Sequence, residues 1–143
     1  MKIKTRRFGE IEINEQKIIS MPSGGMLGFR AHKRYVLLDR EETRPFCWYQ
    51  SVDDPDLAMI VIDPLLFQPD YSVDLQPAIR EMEWEDMDKS NLVLYAVVNI
   101  SDDEPPDITA NLIGPVVINT KTCEAIQMVI SDSPYSHQEK VLR

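Results

Sequence analysis

Short runs of alternating or continuous apolar residues fill most of the chain, and polar turns separate them. Residues 2–7 and 10–13 alternate on either side of Phe8-Gly9, a pattern typical of a β-hairpin with one solvated face. Similar runs predict further strands at 17–21, 35–39, 46–51, 57–63, 71–75, 92–100, 108–112, 115–119 and 124–131. The run at 92–100 is nearly continuously apolar, which indicates a central strand.

One helix is predicted to begin near Pro77 and to end before Asn91. Proline suits the first turn of a helix because its missing N–H needs no partner there, and Ile79 and Met82 lie three residues apart on one face. About ten short strands and one short helix predict a mainly β, antiparallel, barrel-like fold. The length of 143 residues fits one domain over residues 1–143, and the polar residues 134–143 are expected to form a loosely held tail.

Charge is distributed unevenly along the chain, whose net charge is −9. Basic residues outnumber acidic ones by ten to six in residues 1–50, whereas acidic residues outnumber basic ones by eighteen to five in residues 51–143. Phosphate backbones and anionic membranes require Lys and Arg, so neither nucleic acid nor a membrane is expected as a direct partner. The acidic part favours a basic protein partner, and the alternative is that its charge only maintains solubility.

Few residues offer the chemistry of catalysis or metal binding. His32 and His137 stand outside any spaced ligand motif, and Cys47 and Cys123 are isolated, as expected of reduced thiols in a cytosolic protein. The N-terminus lacks the apolar core of a signal peptide, and the longest apolar runs are too short to span a membrane. We therefore expect a cytoplasmic protein with no catalytic site, cofactor or metal.

Two loops have a second interpretation. Residues 53–56 resemble a calcium loop but lack its central glycine and terminal glutamate, so a proline turn closed by an aspartate side chain is the competing interpretation. Residues 23–28 contain glycines but no Lys-Ser/Thr ending, so a loop with positive φ angles competes with a phosphate site. Ser136-His137 lies near the C-terminus, which is a poor place to hold a reactive group rigidly.

Acidic residues cluster on three separate connections between the predicted elements. If the fold brings two of these clusters together, they form a negative platform for a partner. Trp84 or Met87 would then be an exposed apolar contact surrounded by acidic residues. The alternative is that Met82 faces the core while the acidic residues only solvate the helix. The candidate partner-binding residues are Asp53, Asp54, Asp56, Glu83, Trp84, Glu85, Asp86, Asp102, Asp103 and Glu104.

Several stretches together resemble the flagellar assembly factor (FliW) family. They are residues 8–13, 21–29, 45–58, 61–64, 67–71 and 109–119. The most specific are QSVDDPDLA at 50–58 and TANLIGPVVIN at 109–119. The chain departs from the family pattern in a longer loop at 23–29 and in Cys123-Glu124-Ala125, where a turn usually carries glycine.

The resemblance implies a cytoplasmic bacterial protein with a β-barrel-like fold and no enzymatic activity. Family members bind flagellin and the regulator CsrA, a basic RNA-binding protein, and thereby relieve CsrA repression of flagellin translation. The matched stretch 51–58 carries over Asp53, Asp54 and Asp56 as candidate acidic contacts, while Asn111 and Asn119 are expected to support turns. The alternatives are a small-molecule-binding β-barrel or enzyme, and a chaperone that binds flagellin alone.

Overall fold

The computed structural model describes residues 1–131 and 133–141. The strands of this part of the chain are β1 (Lys2–Thr5), β2 (Gly9–Glu12), β3 (Ile19–Ser20), β4 (Arg34–Asp39), β5 (Cys47–Ser51), β6 (Ala58–Ile62), β7 (Leu92–Ile100), β8 (Ile108–Ala110), β9 (Val116–Asn119), β10 (Glu124–Gln127) and β11 (Glu139–Lys140). The α-helix α1 spans Gln76–Met82, and short 3-10 helices occur at Glu15–Lys17, Glu41–Thr43, Pro64–Leu66 and Lys89–Asn91.

Seven strands form a closed ring in the order β7-β6-β5-β4-β3-β10-β9, because β9 also pairs with the first half of β7. The pairing of β3 with β10 is parallel, and the other pairings in the ring are antiparallel. The second half of β7 pairs with β8, which in turn pairs with β11. Ring closure leaves few unpaired sheet edges. The predicted mainly β, barrel-like fold is confirmed.

Side chains from all seven strands fill the ring. Ile19, Tyr35, Tyr49, Val61 and Ile118 belong to this internal cluster, and the rings of Tyr35 and Tyr49 stack with their centroids 4.4 Å apart. Because successive side chains of a strand point to opposite faces, the intervening residues point outward. The outward residues also need cover, and three different parts of the chain supply it.

The first cover is the β1–β2 hairpin, which packs on the outside of β4. Ile3 and Ile13 contact Val36 there, while Lys2 and Lys4 on the other face are exposed. The second cover is α1, whose Ile79 packs with Val117 of β9. The third consists of residues 67–73 and the C-terminal segment, which lie over β6, β7 and β8. With both faces covered, β7 is the central strand that its apolar sequence predicts.

The helix is shorter than predicted, because the chain leaves the helical conformation at Glu83. This residue has φ 57° and ψ 47°, and its N–H donates to the carbonyl groups of Arg80 and Ile79. The N–H of Trp84 then donates to Ile79 O at 2.9 Å, which turns the indole back toward the core. The prediction of a helix ending just before Asn91 is therefore wrong. No helix of the described residues has the length and apolarity to cross a bilayer.

Further predictions differ from the structure, including the strands predicted at 17–21 and 124–131, which are shortened to β3 (Ile19–Ser20) and β10 (Glu124–Gln127). Residues 71–75 form no strand. Instead, Tyr71 is buried and its hydroxyl donates to Leu112 O at 2.7 Å. The segment expected to be a loosely held tail contributes β11, Val141 is 6% exposed, and Tyr135 packs edge-on against Tyr71 at 4.7 Å between centroids. Residues 142 and 143 of that segment lie outside the described residues.

We expect Glu83→Gly to stabilise the protein by roughly 0.5–1 kcal/mol. A left-handed backbone costs a non-glycine residue about 1–2 kcal/mol, and the greater freedom of glycine in the unfolded chain offsets roughly 0.4–1 kcal/mol of the gain. Urea denaturation measures the free energy of unfolding. Glu85→Gly is the control, because Glu85 has no positive φ, and it should be neutral or destabilising. Equal effects of the two substitutions would contradict this account of the helix end.

Candidate protein-interaction site

The strand register brings two of the three acidic clusters to the same end of the barrel. The β5–β6 turn precedes Ala58, and the β7–β8 connection follows Ile100. In the pairing of β6 with β7, Ile60 lies opposite Val98 and Ile62 opposite Ala96, so these two strand ends are neighbours. We call the candidate residues of the two connections the acidic rim: Asp53, Asp54, Asp56, Asp102, Asp103 and Glu104.

Hydrogen bonds within the chain fix the shape of the β5–β6 turn. The hydroxyl oxygen of Ser51 accepts from the N–H groups of Asp53 at 3.2 Å and Asp54 at 3.0 Å. Asp54 Oδ1 in turn accepts from Asp56 N at 3.0 Å. The proline turn closed by an aspartate side chain is thus confirmed. A carboxylate oxygen of Asp54 is used in the turn, whereas Asp56 is exposed.

Part of the charge in this turn is compensated by a neighbouring arginine. Arg34 on β4 forms a two-pronged ion pair with Asp53, in which Nε lies 3.2 Å from Oδ2 and Nη2 contacts Oδ1. The hydrogen bond from Arg34, together with its positive charge, holds the pKa of Asp53 below its usual range. His32 Nε2 lies 3.8 Å from Asp54 Oδ2. Asp53 therefore contributes less free negative charge than its sequence position suggests.

The β7–β8 connection carries charge that is more available. Ser101 Oγ accepts from the N–H groups of Asp103 at 3.3 Å and Asp107 at 2.8 Å, which closes the loop at its base. The intervening candidates Asp102, Asp103 and Glu104 are exposed, and none of the three forms an ion pair with a described residue. These acids can meet a basic partner without first breaking an internal contact.

Two rim neighbours escaped the sequence analysis. Asp107 adds a further exposed acid to the same connection, although its position directly before a predicted strand was visible in the sequence. Ile100 is 47% exposed at the end of β7. The apolar run 92–100 predicted burial for it, and only the structure shows that the cover over β7 ends before this residue. An exposed apolar side chain thus borders the acidic rim, as is common in protein contacts.

The third acidic cluster lies at the other end of β7. Glu83, Glu85 and Asp86 are exposed and precede Leu92, which is roughly 25 Å from Ile100 at a rise of about 3.3 Å per residue. Trp84 is only 3% exposed and packs with Ile79, and its Nε1 donates to Glu124 Oε1 at 3.4 Å. The interpretation of Trp84 as an exposed apolar contact is therefore wrong.

The remaining polar groups of interest have structural roles. Gly24 and Gly28 have φ angles of +122° and +88°, in agreement with the backbone interpretation of the loop 23–28. Cys47 and Cys123 are half-buried and are free thiols, in agreement with the sequence analysis. Asn119 Oδ1 accepts from Lys121 N at 3.0 Å and supports a turn, as predicted. Within the described residues, no three His, Cys, Asp or Glu side chains could hold a metal ion together.

Comparison with known proteins adds independent information. Residues 2–141 match the model of the family described as FliW protein. A flagellar assembly factor FliW of Geotalea uraniireducens is 44% identical over 137 residues, covering 95% of this chain and 81% of that protein. A protein of the same name from Treponema denticola is 41% identical over 143 residues, covering 99% and 94%. A crystal structure of the flagellar assembly factor FliW superimposes with a TM-score of 0.87 at 31% identity, covering 100% of this chain and 98% of that chain.

We expect Asp53→Asn to lower the free energy of unfolding by about 0.2–1 kcal/mol at neutral pH, the range of an exposed ion pair. The pKa of Asp53 is depressed in the folded state, so the stabilisation is complete above the ordinary aspartate pKa of about 4. It is lost as the pH falls through the lower folded-state pKa. Urea denaturation from pH 7 down to acid should show the two proteins converging. A difference that persists unchanged at low pH would contradict this assignment.

Proposed function

Because the chain belongs to the FliW family, whose curated members are flagellar assembly factors, we propose that it binds flagellin and the basic RNA-binding regulator CsrA, and catalyses no reaction. By occupying CsrA it relieves the repression of flagellin translation. Both partners are encountered where translation takes place, so we place the protein in the cytoplasm. Besides family membership, the acidic rim is the structural observation that supports this proposal.

The rim has the electrostatic character that a basic, RNA-handling partner recognises. Its exposed carboxylates at 102–104 form no ion pair with the residues that the structure describes, and Asp56 lies on the adjacent connection. Complementary charge speeds association and selects against other acidic proteins. Since the charges are exposed, their attraction is screened over about 10 Å at 0.1 M salt. Binding of CsrA at the rim is therefore salt-sensitive.

Two variants with equal charge change separate the rim from the other acidic cluster. Asp102→Asn, Asp103→Asn and Glu104→Gln combined remove three charges from the rim, and should weaken CsrA binding about tenfold at low salt, at roughly 0.5 kcal/mol per charge. The control combines Glu83→Gln, Glu85→Gln and Asp86→Asn, and should change affinity by less than about twofold. Isothermal titration calorimetry at several salt concentrations measures both, and melting temperatures confirm folding.

The two triple variants together test whether CsrA binds at the acidic rim, at the α1 end of the barrel or through net charge alone. An equal loss of affinity in both would mean that net charge alone attracts CsrA. A larger loss in the control would move the CsrA site to the α1 end of the barrel. Only a selective loss in the rim variant, with a flatter salt dependence than the parent protein, agrees with the proposed contact.

Size-exclusion chromatography of this protein mixed with flagellin, with CsrA and with both tests the partners directly. We expect a complex with each partner alone at low salt. Recovery of the flagellin complex without any CsrA complex would favour the alternative of a flagellin-only chaperone. The absence of both complexes would refute the proposed function. The three-component mixture shows whether the two partners bind together or exclude each other.

A further inference from the structure

A second surface, opposite in charge to the acidic rim, lies where the tip of the β1–β2 hairpin meets the β4–β5 connection. It forms an open surface cavity of about 470 Å³ whose walls include Arg7, Phe8, Ile11, Arg40 and Trp48. Phe8, Ile11 and Trp48 supply apolar surface, and the two arginines supply positive charge. These arginines and the aromatic rings beside them have no role in the proposed recognition of a basic partner.

Aromatic rings hold both guanidinium groups in place. Arg7 Cζ lies 4.3 Å from the centroid of the Trp48 ring, and Arg40 Cζ lies 4.6 Å from that of Phe8. The two rings pack edge to face with their centroids 5.7 Å apart. A guanidinium group in contact with an aromatic ring retains N–H donors for another ligand. Its fork of donors can bind a carboxylate through two parallel hydrogen bonds.

Two buried donors at this surface lack an acceptor among the described residues. They are Nε1 of Trp48, a residue that is 9% exposed, and Nε of Arg40. Buried donors of this kind are rare in folded proteins, because they have lost their hydrogen bonds to water. Arg7 is exposed and lies over the Trp48 ring, so a ligand bound by its guanidinium group lies beside the indole. The guanidinium groups and the unpaired donors are both suited to an oxygen acceptor.

From this arrangement we propose that the cavity binds a carboxylate flanked by apolar groups, as an acidic residue between apolar residues of a protein partner presents it. Arg7 and Arg40 bind the carboxylate, and Phe8, Ile11 and Trp48 contact its apolar neighbours. Glu42 also borders the cavity, so two guanidinium groups and one carboxylate leave a single positive charge. That balance fits a monoanion better than a doubly charged phosphate. The cavity shares no lining residue with the acidic rim.

Two-dimensional ¹H–¹⁵N NMR of the full chain provides the test, with the Trp48 indole N–H as the reporter and Trp48→Phe to assign its signal. The probe is the peptide acetyl-Leu-Glu-Phe-amide, and acetyl-Leu-Gln-Phe-amide is the neutral control. We expect the Glu peptide to shift the indole signal saturably and the Gln peptide to leave it in place. Acetyl-Leu-Gln-Phe with a free C-terminus tests whether a terminal carboxylate serves equally, and its binding would also support the site.

Substitutions locate the effect. Arg7→Gln and Arg40→Gln should each weaken binding of the Glu peptide by about fivefold or more. Arg6→Gln is the matched control, because it removes the same charge one residue away and Arg6 does not border this cavity. Its effect on the affinity for the Glu peptide should stay within about twofold. Equal shifts by the Glu and Gln peptides, equal loss in Arg6→Gln, or shifts caused by inorganic phosphate but by no peptide would each overturn the proposal.

Discussion

Backbone pairing between β7 and β9 is the interaction on which the rest of the structure depends. Four residue pairs, from Leu92 with Asn119 to Tyr95 with Val116, convert an open sheet into a ring. Closure surrounds the internal cluster with seven strands. It places the side chain of Val116 inside the ring and that of Val117 on its outer face. The outward face of β9 then needs α1 as a cover. The same long strand fixes which connections meet at the rim.

Much of the fold was readable from the sequence, because alternation and apolar runs depend on local geometry that each strand expresses by itself. The failures share a cause that is not local. Glu83 gives no sign of a left-handed conformation, and glycine is absent where the helix ends. Val141 looks peripheral in the sequence, yet it is buried through the pairing of β11 with β8. Cys123 likewise has a left-handed backbone, with φ 55°, which glycine adopts more readily.

The candidate site was only partly predictable for a similar reason. Sequence identified three acidic clusters but could not determine which two are neighbours, since that depends on the register of β6 with β7. It also could not reveal that Arg34, nineteen residues earlier, compensates Asp53, or that Trp84 is a core residue. The arginine–aromatic cavity escaped entirely, because Arg7 and Trp48 are joined by the docking of a hairpin on the outside of the barrel.

That docking has a mechanical consequence. Arg6 at the hairpin tip donates its backbone N–H to Pro55 O at 2.9 Å, while the adjacent Arg7 lies on Trp48. Two consecutive residues of the hairpin tip thus contact the β5–β6 turn and the basic cavity. The short backbone between Arg6 and Arg7 therefore sets the distance between two surfaces of opposite charge.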